Sequence, residues 1–213
     1  DSPQTPPELL VILAAIADEG IPIQTIAPKF SGRFNKGVDY VGDIAEFDRE
    51  LEKHAAVMHA IGGYKLSIHT GSDKFSIYPS IAEQARNLVH VKTAGTSYLE
   101  ALRVVAAVDP AFFREILDFS RSRYETDRAT YHVSGVLAKV PTAAALKDEK
   151  LLGLFEQFDA RQVLHVTFGS VLDEYGARLR EVLKANADLY DQYLQTHFKR
   201  HLAPFLSTEE HDE

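Results

Sequence analysis

Four short runs, LSIHTG, LVHVKT, TYHVSG and VLHVTFG, each carry one histidine: His69, His90, His132 and His165. Each run alternates β-branched or aromatic residues with polar ones, the pattern of a β-strand. Alternation across a strand puts Ser67 on one face with His69, His90 with Lys92, His132 with Ser134 and His165 with Thr167. In a parallel α/β barrel the C-terminal strand ends gather at one mouth, where active sites lie. A single histidine in such a place is usually a partly buried imidazole bonded to backbone, but four in the same position point to a site. Imidazole binds divalent metals and moves protons near neutral pH. The chain has no cysteine, so thiolate nucleophiles, disulfides and cysteine-held metals are excluded. Any metal must rest on His, Asp or Glu, a donor set suited to Zn, Mn, Fe or Ni.

Lys29, Lys74 and Lys92 stand at or just beyond strand ends, where a cation can hold a carboxylate or stabilise an oxyanion. Asp73, beside Ser72 and Lys74, is an acid/base group or a helix cap. Arg33, Lys36 and Asp39 share a polar loop with Gly32 and Gly37 that is either a lid or a plain connection. His197 and His201 have the i, i+4 spacing of a helix-borne metal pair. No Glu follows His197 as the zinc-protease motif requires, so they read as a solvated helix face. His54 and His59 fall inside a predicted helix, and neither a G-x-S-x-G elbow nor a thiol nucleophile is present.

The elements that must position these residues alternate. Helices are predicted at 8–18, 44–61, 79–88, 98–108, 110–121, 147–158 and 173–205, with strands at 23–27, 65–69, 89–93, 130–134 and 163–168. Strand, helix, strand in regular order implies a parallel sheet with right-handed crossovers. About five strands against the eight of a (β/α)8 barrel of about 250 residues predict an α/β, TIM-barrel-type chain covering the C-terminal five or so βα units. Residues 1–205 form that portion of a catalytic domain, and 206–213 an acidic tail. An open doubly wound sheet needs no missing strands, but no Gly-rich nucleotide fingerprint follows any strand.

With 213 residues, 45% of them hydrophobic, the chain can bury one sizeable core. Its net charge of -8 argues against nucleic-acid or membrane-surface partners, which need clustered Lys and Arg. An anionic small molecule needs only a few local cations. No apolar run approaches the roughly 20 residues of a membrane span and no signal-peptide pattern opens the chain, so a cytoplasmic enzyme is expected. The Pro-rich start without Met is read as a cut end.

The run YKLSIHTGSDKFSIYPSIAEQ followed by VHVKTAGTSYLEALR, then YHVS, VLHVTFGSVL and HFKRHLAPF, resembles the tagaturonate epimerase family of hexuronate catabolism over nearly the whole chain. The resemblance implies a divalent-metal-dependent enzyme that interconverts D-tagaturonate and D-fructuronate. The family's metal histidines then fall on His132 and His165, with His90 or His69 as proton donor or further ligand. Asp73 is a further catalytic candidate, and Lys29, Ser72, Lys74 and Lys92 are candidates for gripping the sugar acid. Family members are longer at the N-terminus, so missing barrel units, or a second copy, are expected to complete the fold. The two sugar acids differ at a carbon that simple enolisation cannot invert, which points to retro-aldol cleavage through an enediolate, or to transient oxidation. Rival readings are a metal-dependent barrel hydrolase and a non-catalytic sugar-acid-binding barrel fragment.

Overall fold

The structure is a computed structural model that describes residues 2–68, 70–85, 88–92 and 94–206. His69 and the acidic end from 207 onward lie outside the described residues. Helix α1 (Pro6–Asp18) opens on a capping box, in which the Thr5 side chain accepts the Glu8 N–H while Glu8 reaches back to the Thr5 N–H. Prolines fill its first positions, where no backbone N–H is needed. After β1 (Thr25–Ile26), α2 (Ile44–Ile61) starts on Asp43, whose carboxylate accepts the Glu46 N–H. Gly62 ends α2 at φ 73°, a conformation that favours glycine. Then follow β2 (Lys65–Ser67), α3 (Tyr78–Ala85), β3 (Val89–His90), α4 (Ser97–Val108), α5 (Pro110–Asp127), the single turn α6 (Asp148–Leu151), α7 (Phe158–Val166), α8 (Phe168–Ala185) and α9 (Ala187–Leu202).

The chain divides into two compact units, the first made of the described residues of 1–34, 39–92 and 201 onward, the second of 35–38 and 93–200. In the first unit the strands pair parallel in the order β1-β2-β3, with Ile26 opposite Leu66 and Ser67 opposite His90. Helices α2 and α3 supply the crossovers. Its core joins Leu9, Leu13, Phe47, Leu51, Leu66 and Ile81, and Phe30, Phe34, Tyr40 and Phe47 form an aromatic cluster with ring centroids 5.0 to 6.5 Å apart. The second unit is helical among the described residues, around Leu102, Phe112, Phe113, Phe155, Val163 and Leu179. No helix among the described residues is long and apolar enough to cross a membrane.

The barrel expectation is overturned. The described residues are mostly helical, with a single three-stranded parallel sheet. The predicted strand at 130–134 does not form. Arg128–Thr130 is a 3-10 turn, and the Ser134 N–H donates to the Gln162 side chain 3.0 Å away rather than to a neighbouring strand. The predicted strand at 163–168 is the end of α7 and the start of α8. Nearly every residue of α7 from Asp159 to Val166 is buried. A helix buried on all sides carries a short apolar run that local periodicity cannot separate from a strand.

Candidate functional site

In the first unit the C-terminal end of the sheet carries one of the expected histidines. The register partners Ser67 and His90 are bonded, Ser67 Oγ standing 3.0 Å from His90 Nδ1. His90 and Lys92 are exposed, as is Lys29, whose backbone is tied to Gln4 by an N–H donated to Gln4 Oε1 at 3.1 Å. An imidazole held by one nitrogen and open to solvent at the other is equipped for proton transfer.

The loop between β2 and α3 is built differently from the expectation. Thr70 and Asp73 both adopt left-handed backbone conformations, at φ 52° and 58°, which cost non-glycine residues free energy and are held only by the surrounding structure. Part of that holding is visible. The Tyr78 hydroxyl donates to the Gly71 carbonyl, and the Asp73 N–H donates to His201 Nε2 at 3.1 Å. Burial pushes the Tyr78 hydroxyl well above the usual tyrosine range. The Ser72 hydroxyl donates to the Asp73 carboxylate at 3.0 Å, which lies 3.9 Å from His201 Nε2. Lys74 is wholly buried, its ammonium donating to the Ser72 carbonyl at 3.0 Å. That bond braces the loop from within.

His201 and His197 correct the sequence reading, in which they formed a solvated helix face. Both are buried, His201 at 1% and His197 at 7% exposure. His201 packs against Phe75 and Tyr78. His197 Nε2 lies 3.4 Å from Thr96 Oγ1 and its Nδ1 3.7 Å from Glu100, which Arg103 holds at 3.0 Å. Their spacing was legible, but burial depends on what packs on α9, which spacing does not report. Asp73 and His201 are His/Asp donors of the kind that hold a metal. The lone pair of His201 Nε2 is taken up by the Asp73 N–H, so a metal there would have to displace that bond.

In the second unit His165 is buried on α7 between two glycines. Gly37, at φ 76°, lies so close that a Cβ there would stand 3.2 Å from His165 Cβ, and one on Gly95 would stand 3.7 Å from His165 Cε1. The stretch 35–37 is fastened by three side-chain bonds: Asn35 Nδ2 donates to Ser134 Oγ at 2.6 Å, Gln162 Nε2 to the Lys36 carbonyl at 3.3 Å and Arg161 Nε to the Gly37 carbonyl at 2.6 Å. Tyr124, whose hydroxyl donates to the Gly135 carbonyl at 3.0 Å, and Asp159, which accepts the Val136 N–H at 2.8 Å, fix the connection that carries exposed His132. Neither His132 nor His165 belongs to a group of three His, Asp or Glu donors among the described residues. The two imidazoles alone do not complete a metal site.

The described histidines are thus held in two ways, His90 by a bond at the sheet end of the first unit and His165 by enclosure on α7 of the second. The family model of tagaturonate epimerase matches residues 1–205, and the chain belongs to that family. It is 43% identical over 204 residues to the tagaturonate/fructuronate epimerase of Thermotoga maritima, a match that takes in 95% of this chain and 42% of that protein. Two crystal structures of the fructuronate-tagaturonate epimerase UxaE from Cohnella laeviribosi superpose on it. The form with one glycerol has a TM-score of 0.93 and the native form 0.92, each at 36% identity over 96% of this chain and 43% of that one. The chain thus spans less than half the length of the relatives it matches.

Proposed function

We propose that this chain is part of an epimerase that interconverts D-tagaturonate and D-fructuronate. The observation that carries the reading is the 43% identity, over 95% of the chain, to a protein named for that reaction. The chemistry asks for inversion at a hydroxyl-bearing carbon two bonds from the ketone and not adjacent to the carboxylate. In the retro-aldol route a base takes the proton of that hydroxyl, and the bond to the carbon beside the ketone breaks. Its electron pair passes into the ketone to give an enediolate. The aldehyde fragment turns, the bond re-forms on its other face, and the proton returns to the new alkoxide.

His90 is the described histidine best prepared for that proton transfer, because Ser67 holds one ring nitrogen while the ring stays exposed. Lys29 and Lys92, both exposed, remain candidates for contacts to the sugar acid, whereas Lys74 is wholly buried. Asp73 serves the loop and His201. His132 and His165 are proposed as two imidazole ligands of a divalent metal, with the remaining ligands outside the described residues. Such a metal polarises the ketone as a Lewis acid when bound. The test is incubation of the protein with D-tagaturonate, following D-fructuronate by NMR. Formation of D-fructuronate that a His90→Ala variant abolishes is expected. Conversion unimpaired in that variant would remove His90 from the mechanism, and neither conversion nor binding of either sugar acid would sink the reading.

A further inference from the structure

The substrate's carboxylate needs a cation that is accessible and held in place. The lysine of the GSDKF run, Lys74, fails on the first count, being wholly buried. Lys36 meets both. Its side chain is exposed while its neighbours Asn35 and Gly37 are buried, so the residue projects from an enclosed stretch of backbone. That backbone is fixed on both sides of Lys36, by Asn35 on Ser134, by Gln162 on the Lys36 carbonyl and by Arg161 on the Gly37 carbonyl. The ammonium lies over the ring of Tyr131, 4.7 Å from its centroid, a placement that orients a cation without neutralising it. No carboxylate of the described residues pairs with it.

The same three residues touch the two histidines' surroundings. Asn35 bonds Ser134, two positions after His132; Lys36 covers Tyr131, next to His132; and Gly37 packs on the His165 ring. A cation carried on this segment therefore stands among the groups that flank both proposed imidazole ligands. Its enclosed backbone limits the ordering cost of binding to the lysine side chain itself.

We propose that Lys36 is the residue that receives the carboxylate of the ketohexuronate, an assignment that rests on the epimerase reading. A lysine-to-carboxylate bond is charge-assisted and accounts for a large share of a small ligand's affinity. The test is the dissociation constant of D-tagaturonate, measured by ligand-observed NMR on the wild type, Lys36→Met and Lys36→Arg, with the melting temperature of each as a check on folding. Lys36→Met is expected to weaken binding about 10- to 100-fold at an unchanged melting temperature, and Lys36→Arg to stay within about threefold of wild type. Wild-type affinity in Lys36→Met, or equal losses in both variants, overturns the assignment and leaves the epimerase reading standing. A wild type that binds no D-tagaturonate removes both.

Discussion

Ser67 and His90 face each other across the β2–β3 ladder as register partners, and their side chains meet at 3.0 Å between Oγ and Nδ1. Backbone pairing sets the positions of both residues, so the hydroxyl meets the imidazole without a loop having to order itself. A hydrogen bond to one ring nitrogen selects which nitrogen carries the proton. In Ser67→Ala the two neutral tautomers are expected to become more evenly populated, which nitrogen-15 NMR of the His90 ring reads directly. If proton transfer runs through His90, kcat falls about threefold to tenfold with KM unchanged, from a bond worth about 0.5–1.5 kcal/mol. An unaltered tautomer ratio would show that Ser67 does not govern the ring.

Gly37 and Gly95 make an internal comparison. Both lie against His165, but Gly37 has a left-handed backbone at φ 76° and the closer approach. Gly37→Ala is expected to lower stability by about 1–3 kcal/mol, measured by urea denaturation. Gly95→Ala, whose added carbon would sit 3.7 Å from the ring in ordinary contact, is expected to stay within about 0.5 kcal/mol of wild type.

Tyr98 buries its hydroxyl without a hydrogen-bond partner among the described residues, and burial pushes it well above the usual tyrosine value. The folded state therefore keeps a proton that the unfolded chain releases above about pH 10. The stability linked to this group is present below that pH and declines as pH rises toward the folded value. Tyr98→Phe is expected to leave stability at pH 7 unchanged or higher by about 1 kcal/mol, and to flatten the decline between pH 9 and 11, followed by urea midpoints. A steeper decline in the variant would contradict the burial argument.

Metal content separates the two donor sets. Elemental analysis is expected to find a divalent metal in the wild type and in His201→Ala, and none in His132→Ala/His165→Ala. The reverse pattern would place the metal on the Asp73–His201 pair. Either way, His201→Ala removes the acceptor of the Asp73 N–H and a ring packed on Phe75 and Tyr78, and is expected to cost about 2–4 kcal/mol of stability by urea denaturation.

Helix α2 was legible almost to the residue, because Asp43 caps one end, a pair of glycines closes the other, and an amphipathic period runs between them. The strands at 25–26, 65–67 and 89–90 were legible as short apolar runs bounded by Gly, Pro or polar residues, though each is shorter than the run that announced it. The second unit was not. VLHVTF alternates like a strand, yet in α7 both its alternating faces are covered by other helices, which no local pattern encodes. The same reason hid His197 and His201, whose spacing was visible and whose burial was not. Asn35, Lys36 and Gly37 were visible as a polar, glycine-bearing loop, but their partners Ser134, Arg161 and Gln162 lie about 100 positions or more away in sequence.

The burial of Lys74 gives the first unit a built-in reporter. Amine-reactive reagents modify lysines that reach solvent, so brief labelling of the folded chain should tag Lys29 and Lys92 while sparing Lys74. Its appearance among the modified peptides would then time the opening of the β2–α3 loop, with no engineered probe in a chain that has neither tryptophan nor cysteine.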